Sequence, residues 1–229
     1  MQQLDTFLEN ASEPVYALTL VMALIKYPKY FSTPLKYFPI LLMYTLLTEV
    51  LGHITRNYEV YHIAIFSSYA RHNVIIYNIY NIIFFSYFFF VYWKYINNPI
   101  YKNIVVAGGS LFLILSAINP FFQDFKLEAQ MYSYLTGAII MVMCIVLFFL
   151  DHRNAKDKLD FRYTGIKWIS IGLFIFYAGY FPIKASRYQS YLSLYTEYIH
   201  LRRIHLALIL ISYICFIIGF VRMKKKFWI

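Results

Sequence analysis

The chain has 229 residues, of which 61% are hydrophobic, 21% aromatic and 14% charged, with a formal net charge of +10. A water-soluble domain of this length leaves about 30% of its chain surface facing solvent, and a mean hydropathy of +0.55 is too apolar for that surface. Lipid is therefore the expected solvent, and a soluble enzyme or nucleic-acid-binding module is excluded.

A spanning helix needs roughly 20 mostly apolar residues. In chain order the sequence predicts seven: Ala11–Tyr27, Tyr37–Thr55, Val74–Ile96, Ile104–Phe122, Ala129–Leu150, Gly165–Ala185 and Ile204–Arg222. The first is the weakest, because Pro14 opens it and Lys26 closes it; a tilted or partly interfacial helix is its alternative. The third is dense in Ile, Tyr and Phe and would read as β-prone in water. Inside lipid the backbone must satisfy its own hydrogen bonds, so a run this long is read as helix. In the fourth, Asn119–Pro120 predicts a kink or an end. The expected fold is all-α, a single integral membrane domain over residues 1–229 built as a polytopic transmembrane bundle.

Basic residues near the membrane ends set the expected orientation. One set of joints carries 14 of the 21 Lys and Arg residues and the other carries 7. The richer set includes Lys26, Lys29, Lys36, Lys94, Lys102 and Lys167, and Trp93, Trp168 and Trp228 fall at the same ends. That side is expected to be cytoplasmic, giving an N-out/C-in chain in the cell inner membrane with the acidic Asp5, Glu9 and Glu13 outside. No basic stretch precedes the first apolar run, so no cleavable signal peptide is expected. Cys144 and Cys215 lie deep in the fifth and seventh segments and read as packing residues.

Ionisable and amide groups inside the membrane invite a functional reading. Thr45, Glu49, His53 and Arg56 share one face of the second helix by spacing, and with Asn78 and Asn81 of the third they form an expected polar intramembrane cluster. Such a group can take a proton, an ion or a polar ligand, or it can fix helix packing. His53, His62, His200, His205 and Glu197 are candidate metal ligands, since imidazole and carboxylate suit zinc. Against this, His200 and His205 lie about 140° apart on a helix, and the HExxH pattern is missing. No cofactor is expected; retinal in particular would need a lysine inside the last helix. The seven-helix ceramidase-like hydrolases carry an HxxxH pair in their last helix that this chain lacks. Small residues form stripes on the fifth helix (Ser133, Gly137, Cys144) and the seventh (Ser212, Cys215, Gly219), which predicts close packing within or between subunits. Arg153, Lys156, Lys158 and Arg162, with Lys224, Lys225 and Lys226, are expected to meet a cytoplasmic protein partner.

The runs "YTLLTEVLGH", "IIYNIYNIIFFSYFFF", "WISIGLFIFYAGYFP" and "LILISYICFIIGF" resemble, in that order, small polytopic membrane proteins of Bacteroidota, often found near sensor histidine kinases. The resemblance runs from about Leu41 to Phe220, with Glu49, Asn78, Trp168, Tyr177 and Gly179 as typical positions. It implies a bundle of about seven helices and transfers no catalytic residues. Membrane accessories of phage-defence loci, including those that accompany RNA-targeting CRISPR effectors, look broadly similar. The expected function is that of a non-enzymatic sensor or signalling accessory. The alternatives are an oligomeric effector or channel in phage defence and a metal-dependent membrane lipid hydrolase.

Overall fold

The computed structural model describes residues 2–56, 73–154, 162–189 and 198–223. Among them are seven α-helices and no strand: α1 (Gln2–Lys26), α2 (Phe38–Arg56), α3 (Asn73–Tyr95), α4 (Pro99–Ile118), α5 (Met131–Asn154), α6 (Arg162–Gln189) and α7 (Tyr198–Arg222). Odd-numbered helices run toward the end that carries Lys29, Asp151 and Arg222, called here the basic end; even-numbered ones run back.

The breaks follow from local chemistry. Asn98 accepts from the Ile100 and Tyr101 amides and Pro99 takes the first helical position, so α4 starts five residues before the predicted Ile104. Its other end is Ile118, where Asn119–Phe121 tightens into a 3₁₀ turn around Pro120. Pro28 and Pro34 open two short 3₁₀ turns between α1 and α2. By contrast α6 continues through Pro182 as far as Gln189.

Helix α3 is the hub of the bundle. Its Phe85 ring meets Phe112 of α4 at 5.3 Å, Tyr134 of α5 at 5.7 Å and Tyr177 of α6 at 5.3 Å. Phe88 meets Phe38 of α2 at 5.6 Å. The β-prone aromatic run is thus a helix that fills the centre with rings, each carrying a large apolar area into the core. Helix α4 lies outside, against α3 and α5, while α1 closes the other side against α2 and α7.

The tightest seam joins α6 to α7. Gly165, Gly172 and Gly179 recur every seven residues along α6. A Cβ on Gly172 would stand 2.7 Å from the Ser212 carbonyl oxygen, and one on Gly179 2.9 Å from the Leu208 side chain. Ser212 Oγ donates to the Gly172 carbonyl at 3.0 Å across this seam. The small stripe of α7 is therefore used inside the subunit. So is that of α5, where a Cβ on Gly137 would lie 2.8 Å from Phe85 and 2.9 Å from Phe112.

Six helices, α2 to α7, are long and apolar enough to cross a membrane, which makes the chain a multi-pass membrane protein. Helix α1 differs. It has 25 residues, but Asp5, Glu9 and Glu13 occupy its first half. The apolar part, Val15–Ile25, reaches only about 17 Å at 1.5 Å per residue. Tyr16, Thr19 and Ala23 form its buried face.

Candidate functional site

The polar groups of α2 fall on one face and meet α1, α3 and α7. At the end opposite the basic end the His53 Nδ1 lies 3.1 Å from a Glu13 carboxylate oxygen, both side chains nearly half exposed at 47% and 42%. Glu49 follows one turn deeper, within electrostatic range of the Tyr16, Tyr80 and Tyr213 hydroxyls. A further turn in, Thr45 is buried. Its hydroxyl proton goes to the Leu41 carbonyl at 2.9 Å, so the Tyr80 hydroxyl, 3.0 Å away, is the donor to Thr45. The Tyr213 hydroxyl also reaches Thr45, and the Tyr16 and Tyr213 rings meet edge to face at 4.5 Å. Polar atoms from four helices thus descend from a half-exposed rim to a buried hydroxyl knot.

The predicted cluster divides at this point. Asn78 turns away from Glu49 and fastens the α4–α5 joint: its Nδ2 donates to the Phe125 and Glu128 carbonyls, both at 2.9 Å, and its Oδ1 accepts from the Gln130 amide at 3.2 Å. Gln123 extends the clasp, its Oε1 accepting from the Met131 amide at 2.8 Å and from Asn119 Nδ2 at 3.2 Å. Gln130 Nε2 returns a bond to the Gln123 carbonyl at 2.9 Å. Asn78 and Gln123 so satisfy the first amides at the start of α5, groups that a helix leaves without intrahelical partners. Asn81 is half-buried and its side chain makes no hydrogen bond among the described residues. Arg56 closes α2, and its side chain lies outside the described residues.

At the basic end the joints are pinned in a similar way. Asp151 accepts from the Asn97 amide at 2.8 Å and the Asn98 amide at 3.1 Å, tying the α3–α4 joint to α5. Lys29 Nζ donates to the Met223 carbonyl at 2.8 Å, which places a cation on the carbonyl end of α7. Arg222 stands 4.9 Å over the Trp168 ring and Lys94 4.4 Å over Trp93. Sequence reasoning passed over Asp151 and Lys29 as partners. Their signal was position alone, at the edge of a joint: Asp151 opens the polar run Asp151–Asn154 and Lys29 follows Lys26 by three residues.

The described histidines do not come together. His53 pairs with Glu13, His205 stacks on Tyr180 at 4.0 Å, and His200 is exposed. Among the described residues no three His, Cys, Asp or Glu side chains gather as a metal site; His62 and Glu197 lie outside them. Of the expected cytoplasmic contacts, Arg153 is exposed on the last turn of α5 and Arg162 begins α6. Lys156, Lys158, Lys224, Lys225 and Lys226 lie outside the described residues. Comparison with protein families, curated proteins and solved structures finds no match.

Proposed function

We propose that the protein is a non-enzymatic inner-membrane sensor or signalling accessory, in which the Thr45–Glu49–His53 face receives the stimulus and α7 carries it to the cytoplasm. The observation that supports this reading is that α7 meets the α1–α2 pair twice, at mid-height and at the basic end. Near its middle, Tyr213 packs on Tyr16 and reaches Thr45; at its end, the Met223 carbonyl is held by Lys29. A change of charge or hydrogen bonding around Glu49 therefore acts on the helix that ends in the basic tail. The tail and the 151–163 joint are the proposed docking elements for a cytoplasmic protein, with the termini N-out/C-in. The small-residue stripes that suggest a pore-forming oligomer are used within the subunit, which weakens that alternative.

The test is a spin label at Val221→Cys, an exposed position on α7, in full-length protein with Cys144 and Cys215 replaced by Ser, reconstituted in nanodiscs. Glu49→Gln and Thr45→Val should each alter the label's mobility. Identical spectra in all three backgrounds would show that α7 does not couple the two ends.

A further inference from the structure

Cations and carboxylates separate along the bundle axis. Glu13, Glu49, Asp124 and Glu128 all lie toward the end opposite the basic end. At the basic end Asp151 is the only acidic side chain among the described residues, and the Asn97 and Asn98 amides occupy it. Lys36, Lys94, Arg153, Lys167 and Arg222 are exposed there, and none of them meets a carboxylate among the described residues.

Some of these cations stand on ring faces instead. The Arg222 guanidinium lies 4.9 Å from the centre of the Trp168 ring, and Lys94 Nζ lies 4.4 Å from that of Trp93 and 5.8 Å from that of Phe90. Lys36 Nζ lies 4.8 Å over Tyr37. A ring face attracts a cation without neutralising it, so the charge stays available to a second partner. Each of the three cations falls in the terminal turn of an apolar span, in Pro34–Ile54, Val74–Tyr95 and His200–Arg222. They therefore stand at the edge of the hydrocarbon rather than beyond it.

The surroundings of the two tryptophan pairs are two-faced. Val221, 53% exposed, precedes Arg222, and Phe90, 40% exposed, lies one turn before Lys94. Each cation thus borders exposed apolar surface on the side of the span. A free phosphate or an acidic peptide has nothing to set against that surface. A phospholipid has both parts: a phosphate for the cation and an acyl chain for Val221 or Phe90. The indole ring suits the depth between them, and a basic patch at a membrane edge favours anionic headgroups.

We infer that the basic end binds anionic phospholipid, with Arg222–Trp168 and Lys94–Trp93 as two separate headgroup contacts. The first pair bridges α6 and α7 and the second closes α3, so each holds its own lipid. This surface needs neither the Glu49 face nor the signalling route proposed above.

The experiment is tryptophan quenching in the full-length protein, reconstituted in vesicles of phosphatidylcholine and phosphatidylglycerol with bromine on the acyl chains of one lipid or the other. One chain keeps only Trp168 and another only Trp93, the remaining tryptophans being replaced by Phe. Quenching should show phosphatidylglycerol favoured about fivefold at each tryptophan, the gain of one basic residue at an anionic surface. Raised salt should reduce that preference. Arg222→Gln should remove it at Trp168 and spare it at Trp93, and Lys94→Gln should do the reverse. Equal quenching by the two lipids at either tryptophan, with both cations in place, would overturn the proposal. So would a preference that survives loss of the neighbouring cation, which would assign it to the diffuse charge of the basic end. The comparison of the two lipids decides the first point even where a charge variant fails to fold.

Discussion

Ser212 Oγ lies 3.0 Å from the Gly172 carbonyl oxygen and 2.6 Å from that of Leu208 one turn back, its single proton shared between the two acceptors. The second bond is the usual resting place of a helical serine hydroxyl. The first requires that the α6 backbone come within reach, which only the missing Cβ of Gly172 allows. Two residues on different helices therefore fix the α6–α7 distance together, glycine by absence and serine by its bond.

Gly172→Ala should loosen this seam, because the new methyl would meet the Ser212 backbone rather than a flexible side chain end. Overpacking of this kind costs about 1–3 kcal/mol. Gly109→Ala is the control, since a Cβ there meets Phe89 at an ordinary 3.6 Å. Heating with a thiol-reactive fluorophore reports the difference, as both cysteines are buried. Gly172→Ala should expose them at lower temperature and Gly109→Ala should leave the curve in place. Ser212→Ala should cost less than the glycine change, because interhelical hydrogen bonds in membranes average about 0.6 kcal/mol.

Asn78→Leu should release the α4–α5 joint. The substitution strands the buried Gln130 amide and two partly buried carbonyls, at about 1–3 kcal/mol. Hydrogen exchange of the amides in 124–131 should quicken in the variant while the centre of α5 stays protected. Unchanged exchange would mean that Gln123 and Gln130 hold the joint unaided.

Asp151→Ala should weaken the opposite joint by about 1 kcal/mol, as the bonds to the Asn97 and Asn98 amides are partly open to solvent. Asp151→Asn keeps an acceptor and should recover part of the loss. His53→Ala should change stability by less than about 1 kcal/mol, because its pair with Glu13 is half exposed. Melting curves of the three variants check the order.

Tyr30 gives an alkaline signature. It sits in the α1–α2 joint, donates to the Ala23 carbonyl at 2.8 Å and meets Phe220 at 5.5 Å. Burial pushes its phenol above the ordinary tyrosine range, with the neighbouring Tyr27 adding to the effect. A raised folded-state value favours the neutral form, so its contribution is whole below the unfolded tyrosine value of about 10 and is lost as pH rises beyond it. Tyr30→Phe should be less stable near neutrality, from the lost bond, and should show a shallower decline above pH of about 10 in a melting series.

Much of the fold was legible in the chain. A long apolar run in lipid has one way to satisfy its backbone, so even the Phe- and Tyr-rich α3 could be read as helix. Pro120 marked a kink or an end in the fourth segment, and the end followed because Asn119–Phe121 tightens into a 3₁₀ turn there, whereas α6 accommodates Pro182. The allocation of polar residues to neighbours was not legible. Spacing says that Thr45, Glu49 and His53 share a face and that Asn78 belongs to α3. It does not say that the first face meets α1 and α7 while Asn78 meets the α4–α5 joint, since that depends on how α3 is rotated within the bundle. The stripes on α5 and α7 were visible as patterns, while the glycine heptad of α6 that meets the α7 stripe was not read from the sequence. Their partners were hidden, because close approach is a property of two helices and the stripe on α7 could equally have faced another copy.

The most direct measurement is the sidedness of the two termini, read with a reporter active only in the cytoplasm and one active only outside it. The N-out/C-in arrangement puts the carboxyl terminus in the cytoplasm and the amino terminus outside, with α1, despite an apolar part of only about 17 Å, adding a seventh crossing to the six of α2–α7. Both termini on one side would contradict it. Helix α1 would then lie along the surface, and the Glu13–His53 rim and the Tyr16–Tyr213 contact could not stand at the depths assigned to them.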